Sequence, residues 1–586
     1  MTKFFKSFTI TIFLFQLVSV LILRFQGSYH SFYIGAYDFF LDRSSYTYDL
    51  FLNNSLLFGS TIYYYILSII GIQNDNDISL FLIYMLLAGI NIFVFTLIIK
   101  KFYNVTNNFD IIIYLIPAMI LGNCLAPNSQ SALFYSHTGT PTAFGFSFIL
   151  LLTWFTINKR WVLALCFGIL AMSFSAKHAS FPLLISMVYF LFNHFNHRKI
   201  ILIIGSVSVV FLGLSLYYFF SIPVDKIKEK VELIDFIISR NQHEDALYLQ
   251  PWIGILKLCA GFLIFGFTIK LVKNDDFQQY LKILFVLSIL FIVFGGLYTW
   301  QIYKYFPEPY LVLVSSIKSM ALMQLFALIG AIKYISNSKF PLVSKSLLIA
   351  ALFFGGFGGI TGLIISCILI LFAVFAYFIY NLNIFRTEYF NTVPKGILNN
   401  ISITFLVLCL TLPASINTLR NKIGSYAPQM NGMFTIKHTE ISFLNITDQL
   451  KDCEDFNFLP VDKYFFMRRL YQEEVQSITN PYLVHFSKKS NYMGDPAHLY
   501  LNSVAQQKYF KRLNNLRTLF DASLLDSEKE IAWREVAEDN VIMILPSALL
   551  PTFFSKKEKF KFHDYIISFP SGKIQKRDFL NHCKLT

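Results

Sequence analysis

The feature that most constrains this chain is a succession of long apolar stretches that recurs as far as about residue 416. Stretches of roughly 20 apolar residues match the hydrocarbon core of a bilayer. Because 55% of the 586 residues are hydrophobic and only 14% are charged, a soluble core cannot hide this surface. We therefore predict a polytopic α-helical membrane protein with about 12–14 transmembrane helices. The stretches lie at about residues 7–24, 55–71, 79–99, 109–126, 140–157, 161–193, 199–221, 250–272, 280–303, 308–332, 346–381 and 398–416.

Two of these stretches carry internal breaks. The stretch 161–193 is interrupted by the polar run Ser175–Ser180, which predicts two short helices that meet at a polar tip. The stretch 346–381 has glycines at positions 355, 356, 358, 359 and 362, and it is long enough for two helices hinged there. Both predictions follow from the length of the stretch and from the residues that interrupt it.

The composition changes after about residue 417, where the chain becomes mixed polar. The helix-like run SEKEIAWREVAEDN is followed directly by the strand-like run VIMILP. This alternation predicts a small C-terminal α/β soluble domain over 417–586, after a transmembrane domain over 1–416. Within the transmembrane domain we expect a first outer loop at 25–54 and a second outer loop at 222–248.

Basic residues in the loops predict how the chain is oriented, because Lys and Arg accumulate on the cytoplasmic side. Basic residues of several loops can all be cytoplasmic at once, and this assignment places loop 222–248, the turn at 304–308 and everything after 417 outside. With Lys3 and Lys6 inside, however, the count of spans puts Lys100 and Lys101 on the outer face. Either one early segment does not cross or the rule is broken locally. The cytoplasmic set is Lys159, Arg160, Arg198, Lys199, Lys270, Lys273, Lys333, Lys339, Lys345, Arg386 and Lys395.

This pattern indicates a multi-pass protein of the inner (cytoplasmic) membrane with an extracytoplasmic C-terminal domain. The net charge of +14 is explained by the cytoplasmic loops, so nucleic acid is not an expected partner. The sequence contains no GxxxxGK[ST], no HExxH and no nucleophile elbow. Cys453 and Cys583 lie outside the apolar stretches, and whether they pair is left open.

The segment Tyr29–Asn54, here called the first polar window, holds the carboxylates Asp38, Asp42 and Asp49 among many aromatic residues. One interpretation is an interfacial amphipathic helix with its acids facing water. The other is a site at the membrane surface where a carboxylate acts on a lipid-anchored substrate. Sugar transfer from a polyprenyl phosphate needs a general base for the acceptor hydroxyl and cations for the departing phosphate.

Candidate cations recur in the predicted outer segments. Lys177 and His178 lie at the tip of the broken stretch, and Arg240 and His243 lie in loop 222–248. Lys318 lies inside an apolar span, where a charged side chain is costly and indicates function. Structural alternatives stay open for each: Lys318 as a snorkelling side chain, His178 as a hydrogen-bonded cap, and Arg240 and His243 as solvated loop residues.

An acid-bearing loop after the first helix, many spans and a C-terminal soluble domain resemble the C-type (GT-C) glycosyltransferases, membrane enzymes that use lipid-phosphate-linked sugars outside the cytoplasm. Short runs look similar to motifs of a poorly characterised bacterial GT-C-like group. These runs are Ser44–Phe51, Leu170–His178, Arg240–His243 and Ser315–Ser319. In the last run Lys318 stands where we expect Arg, and it cannot form a bidentate phosphate fork.

The resemblance implies that Asp49 is the catalytic base, with Asp38 as the second candidate. Asp42 precedes Arg43 and is either ion-paired with it or a metal ligand; no cofactor is certain, and a divalent metal is left open. The implied partners are a polyprenyl-phosphate sugar donor, membrane lipid, and a glycan, lipid or protein acceptor of the cell envelope. Two alternatives remain: a transporter or flippase of lipid-linked saccharides, and a non-catalytic component of envelope polysaccharide assembly.

Overall fold

The fold is mostly α-helical, with a small β-sheet near the C-terminus. The computed structural model describes residues 37, 39–41, 50–51, 61–69, 77–103, 141–193, 202, 205–206, 231, 234–235, 238, 252–272, 274–307, 311, 321–338, 340–357, 360–381, 429–431, 434–436, 456–461, 470, 490–493, 503–547, 552–555, 557, 559–562 and 565–568.

Nine α-helices and one short 3₁₀ helix, Ile302–Lys304, precede the first strand in the described part of the chain. One α-helix, α6 (Asp275–Trp300), is long and apolar enough to cross a membrane by length and composition, and seven shorter apolar segments lie within the other α-helices. Asn274 caps α6 by accepting a 2.9 Å hydrogen bond from the Phe277 amide. The helices are α1 Thr61–Ile69, α2 Asp77–Tyr103, α3 Pro141–Ile157, α4 Trp161–Asn193, α5 Trp252–Leu271, α6 Asp275–Trp300, α7 Ala321–Asn337, α8 Leu342–Phe357 and α9 Ile360–Asn381.

Helix α4 folds back on itself, although every residue from Trp161 to Asn193 is helical. At the end of α3, the Phe155 ring lies 5.4 Å from the Phe167 ring, and Thr156 donates a 2.9 Å hydrogen bond to Ser186. In a straight helix, Phe167 and Ser186 would be roughly 28 Å apart. The residues on either side of the polar run therefore form two antiparallel arms that pack against α3. The hairpin predicted from this run is confirmed.

Helices α8 and α9 form a second antiparallel pair. Ser344 at the start of α8 donates a 2.8 Å hydrogen bond to the Ala373 carbonyl near the end of α9. Ser366 near the start of α9 donates a 2.8 Å hydrogen bond to the Ala351 carbonyl. Helix α8 ends at Phe357 and α9 begins at Ile360, within the predicted glycine hinge. The prediction of two helices here is confirmed.

Basic residues from several helices meet at one end of the bundle, which we call the basic end. Lys101 donates hydrogen bonds to the Ile157 carbonyl at 3.0 Å and to Asn158 Oδ1 at 2.8 Å. Lys159, in the turn between α3 and α4, forms a 2.8 Å salt bridge with Asp276. Lys101 and Lys159 therefore lie at the same end of the bundle.

The described part of the 55–71 stretch, α1, is a nine-residue helix about 13.5 Å long, whereas the 27 residues of α2 extend about 40 Å. The other residues of that stretch and all of the 7–24 stretch lie outside the described part of the chain. Both explanations for Lys100 and Lys101 therefore stay as predicted from the sequence.

Close aromatic packing forms the core between these helices. Phe102 of α2, Phe277 of α6 and Phe326 of α7 meet with ring centroids 5.5 to 6.2 Å apart. All three side chains are buried, in an apolar cluster to which α2 through α7 contribute. Edge-to-face and offset contacts of this kind add to the stabilisation that burial provides. The core thus fixes the basic end of the bundle.

The C-terminal unit, residues 456–568, contains a five-stranded sheet in the order β4-β3-β5-β7-β6. Strand β5 pairs parallel with β3, β3 pairs parallel with β4, and β5-β7-β6 are antiparallel. The predicted strand VIMILP is the central strand β5, and the predicted helix before it is α11. The elements are β3 Asn457–Pro460, β4 Ser490–Asn491, α10 Ser503–Phe520, α11 Asp526–Glu538, β5 Val541–Pro546, α12 Thr552–Ser555, β6 Lys559–Phe562 and β7 Tyr565–Ser568, preceded by a separate ladder of β1 Gln429–Asn431 and β2 Phe434–Ile436.

Candidate functional site

The first polar window contributes two short described segments, both with helical residues. Tyr37, Phe39, Phe40 and Leu41 form the first segment. Leu50 and Phe51 form the second segment. The three acids Asp38, Asp42 and Asp49 lie outside the described residues. The structure therefore describes only some of their neighbours in the chain.

The first segment of the window packs against α1. The Tyr37 ring stacks on the Tyr64 ring at 6.4 Å. The Phe40 ring lies 6.0 Å from the ring of Tyr64 and 5.9 Å from that of Tyr65. Tyr37, Phe39 and Tyr64 are buried. The residues on both sides of Asp38 are thus held in an aromatic cluster.

This cluster continues through α3 to the tip of the α4 hairpin. The Tyr63 ring lies 5.3 Å from the Phe144 ring, and the Phe144 ring stacks on the Phe174 ring at 5.3 Å. The next aromatic residue of α3, Phe146, has its ring 5.4 Å from the His178 imidazole. Because Phe144 lies in the first turn of α3 and the basic end is at its last turn, these contacts define the opposite end of the bundle. We call it the window end.

His178 and Lys177 were predicted to bind a phosphate at this tip. The His178 side chain is only 9% exposed, so it is packed among neighbouring side chains, including Phe146. Lys177 is helical, but its side chain lies outside the described part of the structure. The structure therefore places the hairpin tip and the first segment of the window at the same end, and it places His178 inside that packing.

The second segment of the window packs into the C-terminal unit. Phe51 is 3% exposed, and its ring meets the ring of Tyr509 on α10 edge to face at 6.0 Å. Leu50 and Phe51 belong to the same buried apolar cluster as Trp533 of α11 and Met543 of β5. The C-terminal unit is thus in contact with the window. No pattern in the sequence indicates this contact, because it joins residues more than 450 positions apart.

Loop 222–248 also reaches the window end. The Tyr303 hydroxyl, just beyond α6, donates a 2.6 Å hydrogen bond to the Asp235 carboxylate. Helix α6 begins at the basic end, so its other end and Asp235 lie at the window end. Arg240 and His243, a few residues further along the loop, and Lys318 lie outside the described residues. The sequence interpretation missed Asp235 and Tyr303; the only signal was the amphipathic pattern around Asp235.

A buried ionic network stabilises the C-terminal unit. Arg512 of α10 donates a 2.9 Å hydrogen bond to Asp539 and a 2.8 Å hydrogen bond to the Tyr492 carbonyl. Its guanidinium also lies 4.3 Å from the centre of the Tyr492 ring. Burial acts to raise the pKa of Asp539, but the charge of Arg512 and the hydrogen bonds from Arg512 and Lys508 outweigh it and lower that pKa. Burial raises the pKa of the Tyr492 hydroxyl.

A second concave feature lies away from the window, between the α5–α7 pair and the α8–α9 pair near the basic end. It is an apolar cleft of about 410 Å³. Of its polar side chains, Thr268 donates to the Ile264 carbonyl and Ser344 donates to the Ala373 carbonyl, so both hydroxyls are satisfied within the protein. The lining residues are Ile264, Phe267, Thr268, Leu271, Gly330, Ala331, Tyr334, Ile335, Phe340, Ser344, Leu348, Ala373, Val374 and Tyr377. Among the described residues that line the cleft there is no carboxylate and no cation.

Metal ligands and disulfides were left open by the sequence. Among the residues that the structure describes, no group of three or more His, Cys, Asp or Glu side chains could hold a metal ion. Asp42, the candidate ligand that the sequence left open, is outside that part of the chain, as are Cys453 and Cys583. The cysteines that the structure does describe, Cys166, Cys259 and Cys367, are free and exposed.

Comparison with protein-family models, with curated proteins and with solved structures finds no match to this chain. The candidate site therefore depends on geometry and chemistry alone. The window end is the better candidate because the first segment of the window, the hairpin tip and Asp235 of loop 222–248 lie at this end. The second segment contacts the C-terminal unit.

Proposed function

We propose that this chain is a polytopic membrane glycosyltransferase. In this proposal it transfers a sugar from a polyprenyl-phosphate-linked donor to a cell-envelope acceptor at the outer face of the inner membrane. The C-terminal unit is extracytoplasmic, and the fold is of the GT-C kind. The basic end of the bundle faces the cytoplasm and the window end faces outward.

Exposed apolar stripes on the helices support the membrane assignment. On α6, Val286, Leu290 and Phe294 are exposed and spaced four residues apart, whereas Leu284, Ser288 and other residues of the opposite face are buried. Helix α9 likewise exposes several large apolar residues. Contiguous apolar surface of this kind is costly in water and is typical of lipid-facing helices. The clustering of Lys residues at one end agrees with a cytoplasmic side.

The observation that carries the proposal is the convergence at the window end. The aromatic cluster around Tyr37 joins the window to the hairpin tip, and Phe51 joins the window to the C-terminal unit. A substrate held by its lipid in the membrane and by its sugar outside it would have to bind at such a junction. Aromatic side chains at an interface offer surfaces for a polyprenyl chain and for sugar rings.

The proposed chemistry assigns a role to each candidate residue. Asp49, with Asp38 as the alternative, accepts the proton of the acceptor hydroxyl. The acceptor oxygen then bonds to the anomeric carbon of the sugar, and the bond from that carbon to the phosphate oxygen breaks. The electron pair leaves with the polyprenyl phosphate. The candidate cations that stabilise the departing phosphate lie in three places: Lys177 and His178 at the hairpin tip, Arg240 and His243 in loop 222–248, and Lys318 in the later apolar span.

Substitution of the two candidate bases tests this proposal. We expect Asp49→Asn or Asp38→Asn to reduce transfer from a polyprenyl-phosphate sugar in reconstituted vesicles by about 10²- to 10⁴-fold, since general base catalysis contributes that much. The matched control is Asp275→Asn, which removes an exposed carboxylate from the first turn of α6 at the basic end. It should retain transfer and cost at most about 1 kcal/mol of helix stability.

Full transfer in both Asp49→Asn and Asp38→Asn would remove the proposed base. Movement of the lipid-linked sugar across the vesicle membrane, with no glycosidic bond formed, would instead identify a transporter or flippase. If the wild-type protein neither moves nor transfers such lipids, a non-catalytic part in polysaccharide assembly becomes the better interpretation. As a control for folding, activity is compared only for variants whose melting temperature matches that of the wild type.

A further inference from the structure

We infer that the C-terminal unit positions the first polar window, with Phe51 as the positioning residue. This inference rests on the proposed function for its meaning, because it makes the C-terminal unit part of the same site. It differs from a docking role, in which the unit would recruit a partner and leave the window unaffected. The unit would instead determine where the candidate base lies.

The contact between Phe51 and Tyr509, on which the inference rests, is a core contact, because both side chains are buried. Phe51 is 3% exposed and Tyr509 is 1% exposed, and their rings meet edge to face at 6.0 Å. Among the described residues of the apolar cluster, Leu50 and Phe51 are the only members that precede residue 459. The window therefore supplies two side chains to a core that otherwise belongs wholly to the C-terminal unit.

The covalent chain transmits this restraint to the candidate base. Asp49 directly precedes Leu50, and consecutive Cα atoms are about 3.8 Å apart. Asp49 itself lies outside the described residues, and its link to the contact is the single peptide bond to the buried Leu50. A general base must lie within about 3 Å of the proton it accepts, so a restraint on the adjacent residue matters for catalysis.

The C-terminal side of the contact is held firmly. Tyr509 is on α10, one turn before Arg512. Arg512 bonds to Asp539, just before β5, and to the carbonyl of Tyr492, just after β4. Helix α10, which contacts Phe51, is therefore hydrogen-bonded to residues beside two strands of the sheet. On the other side of the window, the Phe40 ring is held by Tyr64 on α1.

A merely structural role for Phe51 predicts a different result from a positioning role. If Phe51 only completes a core, Phe51→Ala should act like the loss of any other buried apolar side chain of that cluster. The matched control is Leu516→Ala, since Leu516 is fully buried in the same cluster, two turns further along α10 than Tyr509. Positioning predicts instead that the two variants affect different parts of the chain.

Hydrogen exchange of the full-length protein in detergent separates these roles without any need for activity. In peptides that cover residues 37–51, we expect exchange at least tenfold faster in Phe51→Ala and within twofold of wild type in Leu516→Ala. Tyr509→Leu, which removes the ring contact from the other side, should reproduce the effect of Phe51→Ala and keeps the test decisive if that variant does not fold. Unchanged exchange of the window in Phe51→Ala and Tyr509→Leu would overturn the inference.

Transfer kinetics give the second readout. In the active protein, Phe51→Ala should lower kcat at least tenfold with the KM for the donor within twofold, and Phe51→Leu should restore kcat. Equal losses of kcat in Phe51→Ala and Leu516→Ala would reduce Phe51 to a stabilising residue and overturn the positioning role. If Asp49→Asn and Asp38→Asn leave transfer intact, the proposed function fails, while the exchange measurement still decides whether the window is held by the C-terminal unit.

Discussion

The buried guanidinium of Arg512 offers the sharpest test of how the C-terminal unit is held together. Arg512→Met keeps most of the apolar stem and removes the charge. It removes a charge-assisted hydrogen bond to Asp539 (about 1.5–3 kcal/mol) and a hydrogen bond to the Tyr492 carbonyl (about 0.5–1.5 kcal/mol). The cation–π contact with the Tyr492 ring adds about 0.5–2 kcal/mol.

The net cost is lower than the largest sum of these contributions, because Asp539 keeps a second partner. Lys508 forms a 2.9 Å salt bridge with Asp539, so the carboxylate is not left alone. We expect Arg512→Met to lower the free energy of unfolding by about 3 kcal/mol, the lower bound for breaking a buried pair. Asp539→Asn should cost more, about 4 kcal/mol, because it leaves a guanidinium that is only 2% exposed without its counter-charge.

Urea unfolding monitored by the fluorescence of Trp533, which is buried in the same unit, measures these values. The other four tryptophans are replaced by phenylalanine so that the signal reports this unit alone. The matched control is Lys508→Met, which removes the 48% exposed partner of the same carboxylate and should cost about 0.2–1 kcal/mol. A cost below about 1 kcal/mol for Arg512→Met, or a larger cost for Lys508→Met than for Asp539→Asn, would refute the reasoning.

The pH dependence of unfolding tests the same network by another route. The pKa of Asp539 is lowered in the folded protein, whereas the unfolded chain has the ordinary value of about 3.9. The unfolded state therefore takes up the proton first as the pH falls. The stability that Asp539 contributes is fully present above about pH 4 and is lost as the pH falls through its folded pKa. The difference in stability between wild type and Asp539→Asn should thus shrink below pH 4, and a constant difference would contradict the assignment.

Two further predictions concern the helix bundle. A methyl group added at Gly168 would meet Leu183 Cδ1 at 2.5 Å across the α4 hairpin, whereas nothing lies within 4 Å of one added at Gly261. Thermal unfolding in detergent should therefore show a loss of stability of about 1–3 kcal/mol for Gly168→Val and no such loss for Gly261→Val. Equal losses would argue against the hairpin. The second prediction concerns orientation and uses a membrane-impermeant maleimide in a cysteine-free background. Lys159→Cys should react only from the cytoplasmic side, and Lys508→Cys should react only from the outer side. Labelling of both from one side would contradict the proposed orientation.

Local sequence signals predicted the breaks in the helices and the central strand correctly. The polar run at Ser175–Ser180 interrupts an apolar stretch that is too long for one span, and the hairpin arms separate there. The glycine cluster predicted the α8–α9 break for a similar reason. The run VIMILP is short, apolar and preceded by a helix-like pattern, so it could be identified as a buried strand.

Long-range contacts could not be predicted in the same way. Nothing in the sequence around Phe51 indicates that its ring meets Tyr509, because the aromatic pattern of the window equally fits an interfacial helix. The contact of Lys101 with the turn after α3 was hidden as well, since an apolar stretch does not show which helix ends meet. Tertiary packing, and not the local pattern, decides such features.

The most direct test of the central claim is an electron cryo-microscopy structure of the full chain in lipid nanodiscs with a polyprenyl-phosphate sugar bound. We predict that the phosphate and sugar lie at the window end, between the segment from Tyr37 to Phe51, the α4 hairpin tip and the C-terminal unit. Density for the phosphate and sugar at the basic end, or in the apolar cleft beside Thr268 and Ser344, would contradict the claim that the first polar window forms the site.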